Sequence, residues 1–236
     1  NTGGSFVDRT CELGLWMEGS PSTEGLAVLD WNADGRADVY AANYERPGTL
    51  GDGTADRFFL GTDGEFRSAA ESLGMIPFLG IPLCGRGVSP CDFDRDGDVD
   101  ILVSDYRLQE NLLWENTPQG ASSSALSRGL AGTETDGWWG HTIGSAWADF
   151  DNDGDWDIFC ANLAHPRYID FSNRSQLLVS SAGGGSFTDS RAAAGIRFEE
   201  THSSPVWGDF DNDGLLDLYI TSVYEGRRSF LYMGRG

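Results

Sequence analysis

The stretch ADFDNDGDWDIF at residues 148–159 joins an acidic loop to strand-like residues on both sides. The loop follows the pattern D-x-[DN]-x-D-G-x-x-D, and it recurs in LDWNADGRADVY (29–40), CDFDRDGDVDIL (91–102) and GDFDNDGLLDLY (208–219). The first acidic residues of the four copies are Asp30, Asp92, Asp149 and Asp209, spaced 62, 57 and 60 residues apart. A period this regular indicates a protein built from four repeats.

A second motif follows the same period and consists of Phe, seven residues, Gly and an aliphatic residue. It begins at Phe6, Phe66 and Phe187, whereas the second repeat has Ala121 at the position of the Phe. We therefore expect the outer side of the second repeat to be irregular.

Each repeat contains four short apolar or alternating runs separated by Gly- and Asp-rich turns. In the first repeat these runs cover residues 26–29, 38–42, 57–60 and 65–68. Short strands at regular spacing, with no long helical periodicity, favour an all-β fold. Four strands per repeat predict the blades of a β-propeller, each with four antiparallel strands.

The two ends of the sequence predict how the propeller closes. Residues 4–9 carry the fourth-strand motif without a preceding blade, and residues 229–234 carry a third-strand motif without a fourth strand. We expect the N-terminal strand to complete the last blade, which gives a single domain of four blades over residues 1–236. The predicted blades cover approximately residues 25–75, 87–130, 144–196, and 204–236 together with 1–15. The alternative is that the chain is a fragment of a larger propeller.

The acidic loops have the donor set that Ca²⁺ prefers, which is six to eight hard oxygens from a flexible loop. Side chains at positions 1, 3, 5 and 9 and the carbonyl at position 7 can converge, and Gly at position 6 permits a turn at positive φ. Four Ca²⁺ ions are therefore predicted. The predicted ligands are Asp30, Asn32, Asp34, the Arg36 carbonyl and Asp38; Asp92, Asp94, Asp96, the Asp98 carbonyl and Asp100; Asp149, Asp151, Asp153, the Asp155 carbonyl and Asp157; and Asp209, Asp211, Asp213, the Leu215 carbonyl and Asp217.

An EF-hand, a site for another metal ion and a turn without a metal all fit this pattern less well. An EF-hand needs Glu at position 12, where this chain has Ala41, Val103, Cys160 and Ile220. Zn²⁺ would need His or Cys ligands, and Mg²⁺ prefers a strict octahedron with retained water. A plain solvated turn would leave several carboxylates repelling one another. The aromatic residues at position 2 are predicted to pack against the protein; they are Trp31, Phe93, Phe150 and Phe210.

Composition narrows the class of partner. The formal net charge of −21 disfavours binding to nucleic acid or to anionic membranes. The sequence has no apolar run approaching the roughly 18 residues that span a bilayer, so membrane insertion is not expected. Asn1 is typical of the start of a trimmed chain. The four cysteines, Cys11, Cys84, Cys91 and Cys160, allow three disulfide pairings, and a buried free thiol is an equal alternative for Cys160.

The phrases DFDNDGDWDIF and DFDNDGLLDLY, with GGGSFTDSRAAAGI, resemble the FG-GAP/VCBS repeat family, whose loops also occur in integrin α-subunits. The resemblance covers nearly the whole chain. It implies a propeller with calcium between the first two strands of each blade, in a secreted, cell-surface or periplasmic protein. Asn32 in loop one and Ala121 in the second repeat depart from the family pattern. The family fixes the fold better than the function.

No catalytic motif is recognisable in the sequence, and we expect a non-catalytic binding or adhesion module that is monomeric. The alternative is an enzyme acting on polysaccharide, or its carbohydrate-binding accessory domain. The ligand, a protein or carbohydrate, is expected on the face opposite the calcium loops, where sequence places Tyr44, Trp138, Trp139, His141, Tyr168, Phe171, His202 and Tyr224. For each of these residues, packing in the core is an equal alternative. His165 is the remaining histidine.

Overall fold

The computed structural model describes residues 4–77, 80–164, 170–197 and 201–235. In these ranges the chain forms four antiparallel sheets, the blades of a β-propeller, which confirms the predicted all-β fold with four blades. The helical elements with described bounds are α1 (Ala125–Arg128) and a 3₁₀ turn (Ala182–Gly184), both short. None of the described helices has the length and apolar character needed to cross a membrane.

Sequential strands are neighbours in every blade. Blade one contains β1 (Thr23–Leu29), β2 (Asp38–Asn43), β3 (Arg57–Gly61) and β4 (Phe66–Ser68). Blade two contains β5 (Gly85–Cys91), β6 (Asp100–Asp105), β7 (Leu112–Thr117) and β8 (Gly120–Ser123). Blade three contains β9 (Thr142–Ala148), β10 (Asp157–Asn162), β11 (Gln176–Ser180) and β12 (Phe187–Asp189). Blade four contains β13 (His202–Gly208), β14 (Asp217–Ser222) and β15 (Phe230–Tyr232).

The hydrophobic core lies between consecutive blades. Every residue of β6 and β10 is buried, because these second strands are covered by a neighbouring blade on both sides. Tyr40 and Phe58 of blade one pack with Ile101 and Trp114 of blade two in the first core cluster. Two further clusters fill the spaces between blades two and three and between blades three and four. Burial of apolar side chains between sheets is the main stabilising contribution in such a fold.

Small residues let the first strands of neighbouring blades approach closely. A Cβ added at Gly25 would lie 2.4 Å from the Arg86 carbonyl oxygen, and one at Gly87 would lie 2.9 Å from the Ile143 carbonyl oxygen. Backbone atoms cannot shift as a flexible side chain can, so a larger residue at either position would push two blades apart.

The two end blades have an uncovered face. Leu26 and Val28 on β1 are 65% and 68% exposed, and Phe210 of blade four is 52% exposed. Between the interior blades these positions are covered. Trp147, which corresponds to Val28, stacks on Phe93, which corresponds to Phe210, with ring centroids 6.0 Å apart. The first and fourth blades therefore do not pack on each other as the interior blades do.

The predicted closure by the N-terminal strand is wrong. Residues 4–9 form no strand, Phe6 is 95% exposed, and the described part of blade four has three strands. The turn that follows is held by blade one instead, because the Phe66 N–H donates to the Leu13 carbonyl at 2.7 Å. Since blades one and four leave their facing surfaces exposed, a segment anchored on blade one has no adjacent β15 with which to pair.

The outer side of blade two is regular, contrary to expectation. β8 pairs with β7 over four residues, from Trp114 opposite Ser123 to Thr117 opposite Gly120. The Ala121 N–H donates to the Leu73 carbonyl at 2.7 Å, as the Phe66 N–H does to Leu13. Backbone pairing holds this strand, so the missing Phe side chain does not disrupt it.

All four cysteines are free thiols. Cys84 and Cys91 flank and end the extended strand β5, which separates them too far for a disulfide bond. Cys160 is fully buried in β10, in agreement with the free-thiol alternative.

Candidate metal centres

The acidic loops are the hairpin connections between the first and second strands of the four blades. Gly at position 6 has a left-handed backbone in each loop, with φ of 82° at Gly35, 99° at Gly97, 95° at Gly154 and 89° at Gly214. Position 4 is also left-handed, at Ala33, Arg95, Asn152 and Asn212. The sequence predicted the first of these turns but not the second, because only Asn among the position-4 residues tolerates positive φ well.

The first acidic residue of each loop accepts a hydrogen bond from the glycine at position 6. These bonds measure 2.9 Å to Asp30, 3.2 Å to Asp92, 3.1 Å to Asp149 and 3.0 Å to Asp209. Each position-5 carboxylate likewise accepts the N–H of position 7, at 2.8–3.1 Å. The loop therefore wraps around its own acidic side chains.

The last acidic residue attaches the loop to the third strand of its blade. Backbone N–H groups of Gly61, Asn116, Ser180 and Gly234 donate to Asp38, Asp100, Asp157 and Asp217 at 2.8, 2.9, 2.8 and 2.8 Å. All four carboxyl groups are buried. The other oxygen of each carboxylate faces the loop, and in Asp38 and Asp217 it accepts the N–H of the position-2 residue at 2.8 Å.

In three loops, carboxylate oxygens converge closely enough to share an ion. The oxygens lie within 4.8 Å of one another in each set; the sets are Asp92, Asp94 and Asp96; Asp149, Asp151 and Asp157; and Asp209, Asp211 and Asp217. Loop one forms no such set among its described acidic residues. There the Asn32 amide donates to Asp34 at 3.1 Å, so an amide occupies the place of a carboxylate.

Several of these oxygens are buried without a hydrogen-bond partner. In loop two they are Asp92 Oδ1, Asp94 Oδ1, Asp98 Oδ1 and Asp100 Oδ2, and in loop three Asp149 Oδ1 and Asp157 Oδ2. A buried carboxylate oxygen with no donor is strongly destabilising unless a cation compensates it. The residues present in loops two and three therefore fit a bound metal ion.

Burial also raises the pKa values of these carboxyl groups. The pKa of Asp100 rises to about 8, mainly because the group is desolvated and also because the charges of Asp94 and Asp98 lie nearby. Desolvation is likewise the main cause that raises the pKa of Asp98 and of Asp157 to about 6. A divalent cation in the loop would favour the charged forms and reverse this effect.

The structure brings three of the predicted ligands together in each of loops two, three and four, and sequence reasoning missed two groups next to loop two. The Asp98 side chain, and not only its carbonyl, turns into loop two with a buried oxygen. Arg128 lies 3.7 Å from Asp94 and stacks over Phe93 at 5.4 Å. The acidic residue at position 7 was a visible signal for the first, whereas Arg128 is 34 residues beyond Asp94 and no local pattern points to it.

The position-2 aromatic residues pack as predicted in the first three loops. Trp31 and Phe93 are buried, and Phe150 stacks on Trp207 of the next blade with ring centroids 6.0 Å apart. Phe210 has no following blade against it and is largely exposed.

His141 and His202, which the sequence placed on the expected partner face, pack inside the protein. His141 is buried against the Tyr106 ring at 4.4 Å, with Nδ1 3.2 Å from the Leu163 carbonyl. His202 is fully buried, and its Nδ1 lies 2.8 Å from Ser175 Oγ. His165 lies outside the described residues.

The aromatic residues predicted to contact a partner differ in exposure. Trp138 and Tyr224 are exposed, whereas Tyr44, Trp139 and Phe171 are more enclosed. Trp138 and Phe171 contact each other, with centroids 6.2 Å apart. Tyr168 lies outside the described residues.

The chain is similar in sequence to cartilage acidic protein 1 of two species. It is 26% identical over 221 residues to human cartilage acidic protein 1, which covers 87% of this chain and 30% of that protein. The mouse protein of the same name is 27% identical over 157 residues, covering 62% of this chain and 23% of its own length. The chain thus spans less than a third of these relatives.

Two solved structures are similar to this chain. One is an Agrocybe aegerita lectin described as recognising non-reducing terminal N-acetylglucosamine, with 14% identity and a TM-score of 0.44; the match covers 92% of this chain and 51% of the lectin. The other is a rhamnogalacturonan lyase of Bacillus licheniformis, with 15% identity and a TM-score of 0.47, covering 91% of this chain and 41% of the lyase.

The model of the FG-GAP-like repeat matches three overlapping segments, residues 30–103, 92–160 and 149–220. Each segment begins at the first acidic residue of one loop and extends to the strand that follows the next loop. The repeat therefore includes the loops whose geometry is described above, and the chain belongs to the FG-GAP-like repeat family.

Proposed function

We propose that this chain is a calcium-binding, non-catalytic module that binds a protein or carbohydrate partner outside the cell. The observation that supports calcium most directly is the set of buried carboxylate oxygens without hydrogen-bond partners in loops two and three. The same loop backbone recurs in loops one and four, so the proposal extends to four ions per chain.

The donor chemistry favours Ca²⁺ over other ions. The loops offer carboxylate, amide and carbonyl oxygens on a flexible hairpin, which suits the irregular coordination of Ca²⁺ better than the strict octahedron of Mg²⁺. They contain no His or Cys ligand for Zn²⁺. The residues that would hold the ion are those at loop positions 1, 3, 5 and 9, with the carbonyl at position 7.

The ions would stabilise the fold rather than take part in a reaction. Each loop is linked to the third strand of its blade through the position-9 carboxylate, so a bound ion would join two strands and the hairpin. A ligand that binds only the folded state raises its stability by mass action. If the loops bind with the affinity usual for extracellular calcium modules, about 10⁻⁴–10⁻³ M, they would be filled outside the cell and largely empty in a resting cytosol.

Calcium titration of the chelator-treated protein by calorimetry tests the first part of the proposal. We expect four ions per chain, and replacing Asp96 by Asn should remove or weaken one of them. Asp170→Asn is the matched control, because Asp170 is an exposed carboxylate outside the loops. Two or fewer ions in the parent protein would contradict the proposal.

Turnover and binding assays test the second part. We expect no release of reducing ends from neutral or acidic polysaccharides, together with binding to a subset of a glycan or protein array. Cleavage of any polysaccharide at a rate that survives repurification would replace the binding module with an enzyme.

A further inference from the structure

A cavity of about 560 Å³ lies among the first strands of the blades, at the ends remote from the acidic loops. Its wall includes Glu24 and Arg86 near the beginnings of β1 and β5, and Tyr106 and Tyr224 just after the ends of β6 and β14. The acidic loops follow the other ends of β1 and β5. The volume is in the range that holds one or two sugar units or a molecule of similar size.

On one side of this cavity the Arg86 guanidinium is held in place by two aromatic rings. The Arg86 guanidinium carbon lies 4.9 Å from the centre of the Tyr44 ring and 4.9 Å from the centre of the Tyr106 ring. The two rings are themselves 6.0 Å apart. Contacts with two aromatic rings restrict the guanidinium plane before any ligand arrives, which lowers the entropic cost of binding.

Arg86 retains donors for a further acceptor. Within the described residues its single acceptor is Glu24, which the Nη2 group contacts at 3.2 Å. The neighbouring Arg107 is engaged by Glu45 at 2.6 Å. A guanidinium has five N–H donors, so the remaining edge of Arg86 can bind a carboxylate in two parallel hydrogen bonds.

The opposite wall has a different character. At the positions that hold Tyr44 and Tyr106 in blades one and two, blades three and four have Leu163 and Val223. Ser145 and Ser204 also line the cavity. Aromatic and aliphatic surface with scattered hydroxyl groups suits the faces and hydroxyls of a sugar ring.

We propose that this cavity binds a carboxylated sugar, whose carboxylate pairs with Arg86 and whose ring lies beside Tyr106. The inference rests on the proposed function, because it specifies the ligand class and the site of the binding module. The surrounding protein carries a net charge of −21, so an acidic ligand would be repelled from most of the surface and held only where a cation is presented.

Calorimetry on the calcium-saturated protein with galacturonate and galactose tests this site, because the two sugars differ only in the carboxylate. We expect saturable binding of one galacturonate, with galactose at least tenfold weaker. Arg86→Gln should weaken galacturonate binding at least tenfold, because the charged donors that pair with the carboxylate are lost. Arg67→Gln, which changes an exposed arginine on β4, should leave it unchanged.

A second variant guards against misfolding of the first. Tyr106→Leu introduces the residue that blade three has at the equivalent position, so the fold should persist while the aromatic wall is lost. We expect weaker binding of both sugars in this variant. Equal binding to the parent and to Arg86→Gln, or no saturable binding of galacturonate, would overturn the proposal. Tighter binding of N-acetylaspartate than of galacturonate would overturn the assignment to a sugar.

These outcomes separate the site from the function on which it rests. If the protein binds four calcium ions but no galacturonate, the proposed sugar site is wrong and the proposed calcium-binding module stands. If galacturonate binds at Arg86 and the protein also cleaves polygalacturonate, the proposed site stands and the proposed non-catalytic function is wrong.

Discussion

Loops two and four have the same pattern but different surroundings. Phe93 of loop two is 1% exposed and packs on Trp147 of the next blade, whereas Phe210 of loop four is 52% exposed. Asp92 Oδ1 in loop two is buried without a partner, whereas Asp209 Oδ1 accepts the Asp213 N–H at 3.1 Å. Loop two, which the next blade covers, therefore depends more on a cation than loop four, whose aromatic residue is exposed.

The largest expected difference concerns the position-2 aromatics. Phe93→Ala should destabilise the calcium-loaded protein by about 3–5 kcal/mol, because a fully buried ring leaves a cavity between blades two and three. Phe210→Ala should change stability by less than about 1 kcal/mol, because much of its ring is already in water. Urea unfolding of both variants checks this. Equal losses would mean that Phe210 is covered in solution, and the contrast between interior and end blades would fail.

The calcium dependence of stability should also differ between the two loops, with loop two contributing more than loop four. A tenfold excess over Kd stabilises by about 1.4 kcal/mol per independent site. Asp92→Asn should therefore reduce the shift in melting temperature between calcium and EGTA more than Asp209→Asn does. Scanning calorimetry of the two matched variants in both conditions measures the difference. If the two variants respond alike, burial by the next blade does not set the affinity.

Loop two should also contribute to the pH dependence of the calcium-free protein. The pKa of Asp100 is about 8 in the folded protein, above its value near 3.9 in an unfolded chain. The folded state therefore holds this proton more tightly, and its contribution is complete below about pH 4 and is lost as the pH rises through about 8. In EGTA we expect stability to fall from about pH 5 to about pH 8.5.

Asp100→Asn serves as the control for that titration. The neutral amide should flatten the dependence in EGTA, although it also removes a proposed calcium ligand. An unchanged slope in this variant would assign the pH dependence to other groups.

The sequence predicted the four blades, the positions of the loops and the turn at each position-6 glycine, because these features depend on local patterns that repeat. It failed where the outcome depended on neighbours. The position of Phe6 within the repeat period predicted pairing with β15, yet the turn after it accepts a hydrogen bond from the Phe66 N–H of blade one. The missing Phe at Ala121 had no effect, because hydrogen bonds to Leu73 and to β7 hold the strand.

Loop one supplies the last and smallest test, because its sequence differs from the others at one ligand position. The side-chain amide nitrogen of Asn32 donates to the Asp34 carboxylate, and its side-chain oxygen Oδ1 accepts the Asp34 backbone N–H at 3.2 Å, so this loop relieves part of its own repulsion. Asn32→Asp removes the amide donor and adds a charge, which should lower stability in EGTA by about 1 kcal/mol or less and raise calcium affinity several-fold. Asn212→Asp adds the same charge at position 4 of loop four, which is not a predicted ligand, and should raise affinity less. Calcium titration of both variants at two salt concentrations separates direct coordination from general attraction, since only the latter is screened. If Asn32→Asp and Asn212→Asp raise the affinity equally at both salt concentrations, position 3 of loop one is not a calcium ligand.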